Sequence, residues 1–235
     1  MTSRTWRRVV AALSLVLALV TVGCKVVTSP QASGALHVAV EIDRYLEGNT
    51  HVSVRFSDQA NNTVEFVSGE TVACDGQFLR YALGYYVGDV PRQPATGSYA
   101  ITYTPAGGSA TPATSGPITF KVAVVADDVS IIQPASGATV LIPSSSPLTI
   151  TYQPSTLSDT SVYATATDSR LHITAVLPQP DGGTLSMPAE NFSEFQAGPG
   201  AITLARQTSS TIGGTAFAVI EVTFKNLTVE SIQWQ

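Results

Sequence analysis

Charge is scarce in this chain, and basic charge is scarcer still. Of 235 residues only 12% are charged, with 12 Lys and Arg against 17 Asp and Glu, for a formal net charge of −5. Nothing in the sequence offers the basic stripe on which a phosphate backbone lies, so nucleic acid is not an expected partner. Histidine is limited to His37, His51 and His172, and none stands in the H-x-H or H-E-x-x-H spacing that gathers zinc. G-x-S-x-G, Walker and C-x-x-C patterns are missing too, so no catalytic motif is legible and no cofactor is expected. A hydrolase acting on glycan or peptide, with its site assembled from distant residues, stays open as the enzymatic alternative, because such sites are defined by geometry. Cysteine occurs twice, at Cys24 and Cys74.

What the chain does have is 44% hydrophobic residues with 18 Gly and 14 Pro, the composition of a folded, turn-rich protein. Its first residues stand apart. Arg4, Arg7 and Arg8 precede the uncharged run from Val9 to Val22, which falls short of the roughly 20 residues that span a bilayer and reads as a secretory signal. Gly23 then leads directly into Cys24. Cationic start, apolar run, small residue and Cys together resemble the lipobox of bacterial lipoproteins, although Thr21 departs from the Leu or Val common at that place. The resemblance implies cleavage before Cys24 and acylation of that residue, which would anchor the chain in the cell membrane or outer membrane. An ordinary secreted chain cut elsewhere and an uncleaved anchor are the alternatives. Each buried acyl CH₂ contributes about 0.8 kcal/mol, so two or three chains hold firmly where one holds marginally.

Loss of residues 1–23 removes three Arg and no acid, taking the formal charge from −5 to −8. Residues 24–35 are small, polar and Pro-containing and read as a tether with a root-mean-square span of about 17 Å. With Cys24 acylated, Cys74 has no partner in the chain, and as a lone thiol beside Val72 it is expected to pack inward as a small hydrophobe.

From Leu36 onward the dominant pattern is period-two alternation, the mark of half-buried strands. Leu36, Val38, Val40 and Ile42 form one set, and Val52, Val54 and Phe56 another; later sets include Leu171, Ile173, Ala175 and Leu177, all read as core-facing. Asp75-Gly76 reads as a tight type I′ turn. Many short strands between turn signals predict an all-β protein built as sandwiches. "GSYAITYTPAGG" (residues 97–108) resembles the penultimate strand of immunoglobulin-like domains, with Tyr99 in the place of the corner Tyr, while the disulfide and buried Trp of antibody domains are missing. "IIQPASGATVLIPSSSPLTITYQP" (residues 131–154) resembles the opening of bacterial immunoglobulin-like modules. Two tandem immunoglobulin-like sandwiches are therefore expected, over residues 36–126 and 127–235, following the signal (1–23) and tether (24–35).

Three groups of residues are candidates for contact with something else. Tyr81, Tyr85 and Tyr86 offer flat amphipathic surfaces for a sugar or peptide, with the adjacent pair pointing to opposite faces of a strand. Asp127 and Asp128 at the boundary, with Glu41, resemble the junction acids of calcium-binding tandem modules, though without those modules' D-x-N-D-N pattern; a calcium-stabilised structural module is thus a further alternative. Cys24 is the lipid site. The expected function is a non-catalytic binding, adhesion or assembly role in the cell envelope, with the bilayer and an envelope protein or glycan as partners.

Overall fold

The computed structural model describes residues 36–66, 69–106, 116–125, 127–213 and 217–235. The signal, the tether and Cys24 lie outside the described residues. The protein is nearly all β, with several sheets and no barrel. Among the described residues the first half holds β1 (His37–Tyr45), β2 (Thr50–Ser57), β3 (Thr71–Cys74), β4 (Gln77–Phe78), β5 (Arg80–Ala82), β6 (Tyr85–Val90), β7 (Ser98–Thr104) and β8 (Ile118–Ala123). The second half holds β9 (Ile131–Gln133), β10 (Thr139–Val140), β11 (Leu148–Tyr152), β12 (Ser161–Thr167), β13 (Ile173–Pro180), β14 (Thr184–Met187), β15 (Gly198–Ile212) and β16 (Val219–Trp234). A 3-10 turn, Ala189–Phe192, precedes β15.

One nine-stranded sheet runs the length of the molecule in the order β13-β12-β15-β16-β1-β2-β6-β5, with β10 pairing β16 beside this path. Two small sheets cover it: β4-β3-β7-β8 over the first half and β14-β11-β9 over the second. Each of these layers encloses its own apolar core. The first contains Val38, Val40, Ile42, Val52, Val54, Phe56, Cys74, Tyr99 and Ile101. The second is built on Ile150, Tyr152, Val162, Leu185, Ile202, Leu204 and Trp234. In β2 the alternation is direct, since Thr50, Val52, Val54 and Phe56 are buried while His51, Ser53 and Arg55 are half-buried. The Asp75-Gly76 turn has positive φ at both residues, 49° and 79°, as a type I′ hairpin turn requires.

The cores do not divide the chain at residue 126. Phe217, Ile220, Val222 and Phe224 belong to the first core, because β15 and β16 form a hairpin too long for the second half alone. At about 3.4 Å per residue, the 16 residues of β16 extend about 54 Å. Its last residues close the second core, where Trp234 packs edge-on against Phe195 at 5.4 Å between ring centroids. Its first half leaves that core and pairs in parallel with β1, from His37↔Val219 to Tyr45↔Leu227. Gly200 on β15 lies so close under the Trp234 indole and the Thr167 carbonyl that any Cβ there would overlap both.

One strand faces opposite to its sequence pattern. In β13 the buried residue is Thr174, with Val176 packed on the second core, whereas Ile173 is 42% and Leu177 79% exposed. Register explains the reversal, because a one-residue slip turns every side chain to the other face. Thr174 and Val176 stand opposite Ala166 and Ala164, whose Cβ atoms face the core. The turn before β13 sets that register.

Candidate functional site

Polar chemistry concentrates where the two cores meet. Arg206 on β15 is buried, 2% exposed, and its guanidinium is engaged on every side. Nε donates to Asp181 Oδ2 at 2.5 Å, one terminal nitrogen donates to Asp127 Oδ1 at 3.1 Å, and the other donates to the Gln153 carbonyl. Asp127 also accepts from the Ser155 hydroxyl. Its neighbour Asp128 is held from the first half, by Arg44 on β1 and by Arg92 at 2.8 Å. Arg44, equally buried, donates as well to Asn226 Oδ1 at 3.1 Å, while Asn226 Nδ2 donates to the Val125 carbonyl at 2.9 Å.

These pairings engage all three of the calcium candidates. Asp127 and Asp128 are neutralised by guanidinium groups from opposite sides, and Glu41 pairs with Lys225, so the three carboxylates do not converge. Among the described residues no group of three or more His, Cys, Asp or Glu is placed to hold a metal ion. Arg44 and Arg206 continue the core-facing parity of Val40 and Ile42 and of Ile202 and Leu204, but nothing in the sequence marks the distant acids and carbonyls that meet them there.

Beside this junction, two carboxylates share one ammonium. Lys225 on β16 contacts Glu41 and lies 3.6 Å from Asp43 Oδ1. Burial works against the Lys225 charge, but Asp43, Tyr163 and Glu41 outweigh it and raise its pKa. Asp43 is left with the unfavourable share: burial pushes its carboxyl up to about 6, with Lys225 pulling the other way. His51 on β2 continues the row, its Nδ1 2.9 Å from Asp89.

The tyrosines do not assemble as a platform. Tyr86 is a core residue whose hydroxyl accepts from the Phe66 N–H at 2.7 Å, and burial pushes its pKa up to about 12. Tyr81, directly opposite it across β5 and β6, packs on the same core with ring centroids 5.1 Å apart. Tyr85 alone turns to the outer face, where it is half-buried. Cys74 is free and buried, and burial pushes its thiol up to about 12, which removes the thiolate that reactivity needs. Tyr99 bonds across a corner: its hydroxyl lies 2.7 Å from Thr50 Oγ1 and accepts from the Gln93 N–H at 3.1 Å.

His172 stands 2.9 Å from Asp168 Oδ2, the spacing of an acid–base pair, but Asp168 closes a turn. Its fully buried carboxylate also accepts from the N–H groups of Arg170, His172 and Gln196 at 2.9 to 3.0 Å. Burial alone would raise the Asp168 pKa; the hydrogen bonds from His172, Gln196 and Arg170 overcome it and lower the pKa. An equivalent turn follows β2. There Asp58 Oδ1 accepts from the N–H groups of Ala60 and Asn62, and Asn62 Nδ2 donates to Oδ2 at 2.9 Å. Both turns need a left-handed residue at their fourth position. Asn61 supplies it at φ 61°, whereas the other turn places Leu171 at φ 68°.

Leu171 therefore combines an unfavourable backbone, costing about 1 kcal/mol for a side chain with a Cβ, with 54% exposure. It begins an apolar line that continues outward along β13 through Ile173 and Leu177. The face beyond is uncharged. Opposite Ala175 stands Thr165, then Thr203, then Val229, with Val229 39% exposed. This outer surface is the best candidate for contact, and the apolar parity of β13 was its signal in the sequence. Among the described residues no helix is long and apolar enough to cross a membrane. No protein-family model, no curated protein and no solved structure matches this chain.

Proposed function

We propose that the protein is a lipid-anchored component of the bacterial cell envelope, built from tandem immunoglobulin-like sandwiches, that binds another envelope component without catalysis. The lettering of such domains supports the architectural part. The order β1-β2-β6-β5 against β4-β3-β7-β8 corresponds to A-B-E-D against C′-C-F-G. The order β14-β11-β9 against β13-β12-β15-β16 corresponds to E-B-A against C′-C-F-G. The Tyr99 hydroxyl bond to the Gln93 backbone is the contact expected of a corner tyrosine.

The anchor rests on the Arg-flanked apolar run that ends at Gly23-Cys24. The start of β1 lies beside the β15–β16 tip, where the Ala218 N–H donates to the Leu36 carbonyl at 3.0 Å. A tether leaving there places the first half next to the bilayer and carries the Leu171 turn to the far end. Binding without catalysis is carried by one observation: Leu171 is kept exposed in a conformation that Asn or Gly would adopt more easily. Strain at an exposed apolar residue is a feature of contact sites.

Photocrosslinking in intact envelopes tests this reading. A photoreactive residue at Leu171 or Leu177 is expected to give one discrete adduct, and the same residue at Ala39, on the charged part of the sheet, none. Equal labelling from all three positions, or none from any, overturns the assignment of the surface. Release of the unmodified protein into the medium overturns the anchor.

A further inference from the structure

The first half takes one further strand from the end of the chain. Its edge strand β1 presents a backbone ladder that β16 fills over nine residue pairs, between partners about 180 residues apart in sequence. Phe217, Ile220, Val222 and Phe224 fill the same core from that side. Around the ladder, the Leu46 N–H donates to the Leu227 carbonyl at 2.8 Å, and Asn226 bridges Arg44 to the Val125 carbonyl. Strand addition of this kind combines main-chain bonds, which give affinity, with alternate side chains in pockets, which give specificity.

We infer that the first half is a strand-binding site whose ligand is the chain's own 217–228 segment, and that it acquires a stable fold only when this segment has docked. The ligand is an extended peptide with an apolar side chain at every second position from Ile220 to Phe224, followed by the polar pair Lys225-Asn226 that meets Glu41 and Arg44. Because the same strand continues into the second core and ends there at Trp234, docking welds both cores into one cooperative body. The first half, although made first, waits for the last residues of the chain.

The protein carries its own reporters. A mature-length chain, residues 24–235 with Cys24→Ser, has one thiol, Cys74 in the first core, and one tryptophan, Trp234 in the second. During urea unfolding, reaction of Cys74 with a thiol reagent and the change in Trp234 emission are expected at the same midpoint. Ile220→Ala with Val222→Ala, which touch only the first core, should lower both midpoints together. Separate midpoints, or a shift confined to Cys74, overturn the inference.

A second measurement stands even if that double variant fails to fold. The same chain, given a protease site after Gly213, is cut in the folded state and challenged with excess labelled synthetic peptide 217–235 at sub-denaturing urea. Incorporation of the peptide, with Cys74 protected only in peptide-bound molecules, supports strand binding. A cut protein that keeps Cys74 protected after its own segment has been washed away overturns it.

Discussion

The two ends of the nine-stranded sheet share β16 but face the surroundings differently. Over the first core its outer face carries Glu41, Asp43, His51, Asp89 and Lys225, linked into pairs. Over the second core, the outward positions of β13, β12, β15 and β16 bear no charge, and Ile173, Leu177 and Val229 are exposed. The difference teaches how a sheet face can be satisfied. Ion pairs answer one another across the first face, whereas an uncharged face with exposed apolar side chains leaves its interactions to be made elsewhere.

The comparison is broken most forcefully at the junction. Arg206→Met strands the Asp127 and Asp181 carboxylates, and removing one partner of a buried ion pair costs about 3–5 kcal/mol. Denaturant titration should show that loss, while Leu177→Ser, on the uncharged face, stays within about 0.5 kcal/mol and abolishes the crosslink. The two equivalent turns offer a finer test. Asn61→Leu should lose about 1 kcal/mol and Leu171→Asn should gain about as much, so thermal melts of the two variants are expected to move in opposite directions. If Leu171→Asn raises the Tm and also keeps the crosslink, its strain has nothing to do with binding.

The smallest effect concerns pH. Asp43 has its folded pKa raised from 3.8 to about 6, so the folded state holds that proton more tightly than the unfolded chain. Its stabilising contribution is complete below pH 3.8 and is lost as pH rises through about 6. Asp43→Asn should therefore flatten the fall in Tm across that window. Asp168, whose pKa is lowered, acts with the opposite sign: its contribution is present above the ordinary carboxylate range and is lost in acid, and Asp168→Asn should remove that acid loss.

Much of the strand content was legible because alternation in β1 and β2 states directly which side chains are buried. The Asp75-Gly76 turn and the inward Cys74 were readable from local chemistry alone. Three features were not. The parity of β13 depends on the turn from Asp168 to His172, and a five-residue turn closed by one carboxylate has no familiar dipeptide signature. Arg44 and Arg206 become junction groups only because β1 and β15 bring them to the boundary between cores. The sharing of β16 depends on a parallel pairing across almost the whole chain, and nothing in "AVIEVTFKNLTVESIQW" (residues 218–234) marks where one core ends and the next begins. The partners of Asp127, Asp128 and Glu41 were hidden for a related reason: acids are visible in a sequence, but the cations that answer them are placed by the fold.

The parallel ladder between β1 and β16 also has a mechanical meaning. Tension drawn between the start of β1 and the end of β16 pulls the two strands in opposite senses along their length, so the cross-strand bonds are loaded together in shear instead of parting one after another as in a zipper. A protein held by one end and gripped at the other would be braced by the very strands that receive the load.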